Sequence, residues 1–145
     1  MEAPRPGVVL DASAAIALLR DEEAAPRVEQ LLREGSSRMS TVNAAETVDV
    51  LVRRYGWAAD DVAAGVAQLL STVDPVPASL DDAIQAGELR ARHFRRDRRI
   101  SLADCFVLAV AQPGDRIATG DATLAAIAQD EGFETVDLIA RRSAG

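Results

Sequence analysis

The sequence predicts an α/β fold of three layers, a mostly parallel central sheet flanked by helices. Short apolar runs of strand length alternate with longer segments of helical period, the order expected of a parallel sheet covered on both faces. The size agrees: 145 residues, 48% hydrophobic and 27% charged, suffice for one cored domain and are too few for two ordinary ones. Acidic residues also close strand-like runs or open helical ones, at the edge where parallel sheets bind ligands.

The strand-like runs are VVLD (8–11), RMSTV (38–42), TVDPV (72–76), RIAT (116–119) and ETVDL (134–138). Residues 12–20 are apolar nearly throughout, which predicts a buried helix. Residues 23–34 set Val28, Leu31 and Leu32 on one face and stop at Gly35, a favourable residue just past a helix end. Residues 44–55 align Val48, Leu51, Val52 and Tyr55, and 59–70 align Val62, Val66, Leu69 and Leu70. A helix over 80–97 is expected to turn Leu80, Ile84, Gly87, Ala91 and Phe94 inward, and helices over 102–112 and 122–131 complete the set. The whole chain, 1–145, reads as a single domain with loose ends at 1–6 and 141–145.

Composition removes several function classes. The formal net charge of −7 disfavours a polyanionic partner, except at RARHFRRDRR (90–99), where six arginines face one aspartate. The chain has no lysine, which excludes lysine-dependent catalysis and a Walker-type phosphate loop. It has no apolar run long enough for a bilayer and no basic-then-apolar leader, so neither a membrane nor export is expected. The lone Cys105 makes no internal disulfide and fits a cytoplasmic location.

The segment ISLADCFVLAVA (100–111) poses the chemical question, because a helix apolar almost all round carries Asp104 in its first turn. A charge removed from water requires compensation. Asp11 closes the first strand, Asp121 follows RIATG, and Glu46 opens the helix after MSTV. Each acid alone also fits a helix cap: SLAD (101–104) has the capping-box pattern, NAAE (43–46) nearly repeats it, and Asp11 and Asp121 suit N-cap positions. Together they raise a different problem. Carboxylates about 4–5 Å apart repel by roughly 3–4 kcal/mol per pair at an effective dielectric near 20. A hard divalent ion, Mg²⁺ or Mn²⁺, would remove that repulsion and activate water toward a phosphodiester. The single His93 and single Cys105 are too few for zinc.

Four motifs, VVLDASAAIALL, STVNAAETVDVL, RRISLADCFVLAVA and IATGDATL, then show a resemblance covering nearly the whole chain. The sequence resembles PIN-domain ribonucleases and, more narrowly, VapC-type toxins of toxin–antitoxin pairs. The resemblance implies a Mg²⁺- or Mn²⁺-dependent endoribonuclease, frequently a homodimer, held inactive by a VapB-type antitoxin. Carried onto this chain, it makes Asp11, Glu46, Asp104 and Asp121 the metal-holding catalytic acids, with Ser13 and Thr119 as hydroxyls that orient them; capping is the competing role for both hydroxyls.

Arg92, Arg95, Arg96 and Arg99 recur at i, i+3, i+4 and i+7 and would form one helical stripe. RNA phosphates, an acidic antitoxin tail or solvent and neighbouring acids could each be its partner. His93 reads as exposed and incidental, and Tyr55 and Trp57 as helix-end packing. A non-catalytic PIN-like binding module is the second reading. A Mg²⁺-binding phosphoacceptor domain ranks below it, since such domains set a lysine opposite the acceptor aspartate.

Overall fold

A computed structural model describes residues 6–139. Of the expected loose ends, residues 1–5 and 141–145 lie outside the described residues. The elements run β1 (Val8–Leu10), α1 (Ala12–Leu19), α2 (Ala25–Glu34), β2 (Ser37–Ser40), α3 (Thr41–Asp49) with a π-helical turn at Val50–Arg54, α4 (Ala59–Leu69), β3 (Asp74–Val76), α5 (Leu80–His93), α6 (Leu102–Ala109), β4 (Arg116–Thr119), α7 (Ala122–Asp130) and β5 (Glu134–Asp137). The five strands form one sheet, order β3-β2-β1-β4-β5, and every pairing is parallel.

Strand alternation divides the core in two. Val8 and Leu10 point to the face covered by α1, α2 and α4, where they meet Ala14, Val28, Leu31 and Leu69. Val9 points to the other face with Ile117, against Leu89, Cys105, Leu108, Leu124 and Ile127 from α5, α6 and α7. Each such side chain contributes about 1.5–3 kcal/mol on leaving water, and a β1 buried on both faces explains its uninterrupted apolar run. A third cluster, around Leu51, Val62 and Val66, joins the π-turn to α4. Among the described residues no helix is long and apolar enough to cross a membrane.

The connections leave β1 toward β2 and β3, then cross back to β4 and β5. The direction therefore reverses between β1 and β4, and the crevice outside their carboxyl ends is the topological switch point. The opposite edge is sealed. The buried Asp115 accepts from the Gly7 and Gln112 N–H groups (2.9 and 2.7 Å) and pairs with Arg38. A Cβ on Gly7 would lie 2.4 Å from the Ser36 carbonyl oxygen, so this close strand approach requires glycine.

Three sequence expectations need correction. First, α3 begins at Thr41, capped by Ser40, whose Oγ accepts from Val42 N–H (3.2 Å). Glu46 thus lies in the second turn, and NAAE is not a capping box. Asn43 is buried instead and donates from Nδ2 to the Ala103 carbonyl (3.0 Å), tying α3 to the first turn of α6. Second, the helix expected over 80–97 ends at His93. Phe94 turns extended, and Arg95 and Arg98 exchange backbone hydrogen bonds (3.3 and 3.1 Å) in a tight reversal. Arg92, Arg95, Arg96 and Arg99 therefore do not form one helical stripe. Third, α5 buries Ala86 and Leu89, whereas Leu80 (76% exposed), Ile84 (53%) and Phe94 (36%) face outward.

Candidate active site

Asp11 follows β1 directly and caps α1. Its Oδ1 accepts from Ala14 N–H (3.0 Å) and Ser13 Oγ (2.6 Å), and its Oδ2 accepts from Thr119 Oγ1 at the end of β4. Both hydroxyls are themselves held by backbone donors, Ser13 from across the β1–β4 crevice and Thr119 from within its own turn. Gly120 N–H donates to Ser13 Oγ (2.8 Å) and Asp121 N–H to Thr119 Oγ1 (2.9 Å). A Cβ on Gly120 would press on the Leu138 carbonyl (3.3 Å) and Ser13 Oγ (3.4 Å). Asp121 caps α7, its Oδ1 accepting from Thr123 and Leu124 N–H (2.8 and 3.1 Å). Asp104 shares a capping box with Ser101: Asp104 N–H donates to Ser101 Oγ (3.0 Å), and Ser101 N–H approaches Asp104 Oδ2 at 3.5 Å. The capping geometries read from the sequence for Asp11, Asp104 and Asp121 are thus present.

The same acids face one cavity of about 390 Å³, lined by Asp11, Ser13, Glu46, Ser101, Asp104 and Asp121 together with Glu22, Val50, Arg54 and Tyr55. The four acids come from four different segments that the fold brings to one sheet edge. Among the described residues, none of the four is ion-paired with an arginine or histidine. The buried Asp115, by contrast, is ion-paired with Arg38.

The electrostatics reflect that gathering. Burial pushes Asp11 up to about 6, with a further rise from the Asp104 charge, against the lowering effect of the Ser13, Thr119 and Ala14 hydrogen bonds. Burial lifts Glu46 to about 7, helped by the charges of Asp104 and Asp11. Asp104 is raised by burial and then by Asp121. Asp11, Glu46 and Asp104 therefore each feel a neighbouring acid, and like charges favour proton retention in those three. The buried Cys105 thiol is pushed up to about 11, first by burial and then by Asp104, so it is not a nucleophile at neutral pH.

The donor set suits a hard cation, being all carboxylate and hydroxyl oxygen. Among the described residues no three histidines, cysteines or carboxylates close into a ready-made cage.

Arg92, Arg95, Arg96 and Arg99 do not line the cavity. Arg92 pairs with Glu131 (2.6 Å), and Arg95 donates to the Phe94 and Arg92 carbonyls (2.7 and 3.2 Å). His93 is not incidental: its side chain is 12% exposed and shares Glu131 at 2.7 Å. Sequence periodicity missed the wall formed by Arg54 and Tyr55, because an α-helical reading of 44–55 turns Tyr55 into the core and gives Arg54 no role. Tyr55 does pack in the third cluster, yet its ring also borders the cavity beneath the Arg20 guanidinium (3.6 Å to the ring centre).

A five-stranded parallel sheet with an acid-lined crevice at its switch point defines an α/β domain built to bind at the carboxyl ends of its strands. The chain belongs to the PIN domain family, whose model matches residues 8–137. No curated protein matches the sequence. Similar solved structures include the DNA-bound VapBC of Salmonella typhimurium, 17% identical over 92% of this chain and 99% of that one, with a TM-score of 0.69. VapC20 of Mycobacterium tuberculosis, a sarcin–ricin loop cleaving toxin, is 24% identical over 90% and 99% of the two chains, TM-score 0.68. FitAcB of Neisseria gonorrhoeae is 18% identical over 90% and 97%, TM-score 0.65. At these identities the likeness is one of fold.

Proposed function

We propose that the chain is a divalent-metal-dependent endoribonuclease and the toxin of a toxin–antitoxin pair. One observation carries the reading: four carboxylates from four segments line a single cleft, with no cationic side chain paired to them among the described residues. Membership of the PIN family and the likeness to VapC-type folds support it.

In this reading Asp11, Glu46, Asp104 and Asp121 hold Mg²⁺ or Mn²⁺, directly or through water. The bound cation supplies Lewis acidity toward water and toward the phosphodiester oxygens. Ser13 and Thr119 fix the Asp11 carboxylate by donating to it from opposite sides of the crevice, which keeps its remaining lone pairs aimed at the cleft. Glu46, raised in the metal-free protein by burial and by the charges of Asp104 and Asp11, is the acid whose charged form a bound cation would favour most. Asp104 and Asp121 complete the negative wall, Asp121 held firmly by its helix cap and Asp104 only loosely by the long return bond from Ser101.

The protein is expected to act in the cytoplasm as one PIN domain and a homodimer, restrained by a VapB-type antitoxin. The outward apolar face of α5 supports the dimer. Arg96 and Arg99, in no ion pair among the described residues, leave the 90–99 segment open to RNA outside the cleft or to an acidic antitoxin.

The test is RNA cleavage with Mn²⁺ or EDTA, followed by sequencing of the new 5′ ends. The parent should cut only with metal, and folded Asp11→Asn and Asp104→Asn proteins should lose at least about 100-fold in rate, as expected when a group that holds the cation for the reaction is neutralised. Parental cutting by both variants would sink the assignment, and absence of any chelator-sensitive cut would favour a binding module.

A further inference from the structure

The cleft wall beyond Glu46 is not used by the nuclease reading. Helix α3 leaves the sheet edge with Glu46 and Val50 facing the cavity, one turn apart. An uninterrupted α-helix, at ~100° per residue, would come back to the Glu46 face at i+7, within ~20°. That position is Arg53. The chain instead widens into the π-helical turn at Val50–Arg54, closed by Tyr55 N–H donating to the Val50 carbonyl five residues back (3.3 Å). The extra residue moves the return from i+7 to i+8. Arg53 swings to solvent, where it makes two hydrogen bonds with Asp49 (3.0 and 2.9 Å), and Arg54 lines the cavity. Single π-turns sacrifice helical regularity and are frequent at functional positions.

Arg54 is also available. Among the described residues it is the cation that lines the cavity, and it makes no ion pair. The neighbouring Arg20 is engaged by Glu22 and stacked on Tyr55, and the Arg54 guanidinium lies 5.7 Å from the same ring centre. A polyanion entering this cleft meets Asp11, Glu22, Glu46, Asp104 and Asp121. A planar guanidinium on the wall supplies opposite charge and a bidentate fork matched to phosphate.

We propose that the π-turn presents Arg54 as the phosphate-gripping residue of the cleft, binding non-bridging oxygens of the RNA backbone beside the scissile bond; this rests on the nuclease reading above. Arg54 lines the cavity whereas Arg53 pairs with Asp49 in solvent, so adjacent arginines with the same chemistry have different roles.

The experiment measures cleavage of total bacterial RNA in Mn²⁺ by the parent, Arg54→Ala, Arg54→Lys and Arg53→Ala proteins, across RNA concentration and from 50 to 200 mM KCl. For Arg54→Ala, KM should rise about tenfold with kcat within about threefold, the pattern of a lost ground-state contact. The log–log salt slope of kcat/KM should fall by about one, as for a single phosphate contact. Arg54→Lys should restore the slope and part of the KM, and Arg53→Ala should match the parent. Parental KM and salt slope in Arg54→Ala would overturn the assignment while leaving the nuclease reading intact. A changed metal requirement or melting temperature with an unchanged salt slope would overturn it too, since that is the signature of a group that merely offsets the acids. If the parent makes no chelator-sensitive cut, both readings fall.

Discussion

Glu46 and Asp11 hold protons toward neutrality because burial withholds solvent from their charged forms and neighbouring acids add repulsion. In the metal-free protein the sign of the consequence is fixed. Between the unfolded values of 4.5 and 3.8 and the folded values of about 7 and 6, the folded chain keeps protons that the unfolded chain has released. Stability therefore falls as pH rises through that window, and the penalty vanishes below it, where both states are protonated. In EDTA, Glu46→Gln should melt about 3 °C above the parent at pH 8, a shift that matches a fraction of a kcal/mol to about 1 kcal/mol. The two should converge at pH 4. Mn²⁺ should stabilise the parent more at pH 8 than at pH 5. A gap between the two proteins that does not change with pH would refute the electrostatic account of Glu46. At this scale the gathering of acids is legible in the sequence, because Asp11, Asp104 and Asp121 sit at strand ends and helix starts whose positions the apolar runs mark. Arg54 is not, since periodicity assumes one helical pitch and the π-turn changes it.

Helix boundaries decide what a residue can reach. In α6 the Ser101 Oγ accepts the Asp104 N–H at 3.0 Å, whereas the return bond to the carboxylate is long, 3.5 Å. The cap therefore stabilises the helix and binds the Asp104 side chain only loosely. Ser101→Ala should cost about 1 kcal/mol of unfolding free energy, read as a lower urea midpoint at unchanged m-value, with metal-dependent cleavage retained. An unchanged midpoint would mean that water caps α6 equally well. The five strands and seven helices are largely legible, because β1 is a continuous apolar run and α4 has a plain 3.6-residue stripe of Val62, Val66 and Leu69. Helix α5 shows the limit. Periodicity aligns Leu80, Ile84, Gly87, Ala91 and Phe94 but is silent on which way the stripe faces. Burial of α5 is decided by Ala86 and Leu89, which fit closely under α6, and its end by the Arg95–Arg98 reversal, a local hydrogen-bond closure that an arginine-rich segment does not announce.

For the molecule as a whole, the outward stripe of α5 is the feature a monomer leaves unexplained. Leu80, Ile84 and Phe94, joined by Leu102 (52% exposed) from the start of α6, account for most of the exposed large hydrophobic side chains among the described residues. In the homodimer proposed above these exposed apolar side chains would form the association surface. Its chemistry suits a second copy in antiparallel arrangement. The stripe is centred on Gly87, where the absence of a side chain and of any neighbour within 4 Å lets two helices approach closely. The acidic first turn (Asp81, Asp82) and the basic last turn (Arg90, Arg92) would then meet their opposites across a two-fold axis, with helix dipoles opposed favourably. A single Ile84→Arg change places a buried, unpartnered charge in each half of the proposed interface, one turn from Gly87. The parent should run at twice its 15.4 kDa mass in light scattering, and Ile84→Arg as a monomer that keeps its secondary structure, because the site is exposed and tolerates the longer side chain. A variant that stays dimeric would move the interface off α5. A monomeric variant that still cleaves RNA in Mn²⁺ would show that each cleft is complete within one chain, as expected if Asp11, Glu46, Asp104 and Asp121 of a single protomer supply the whole set.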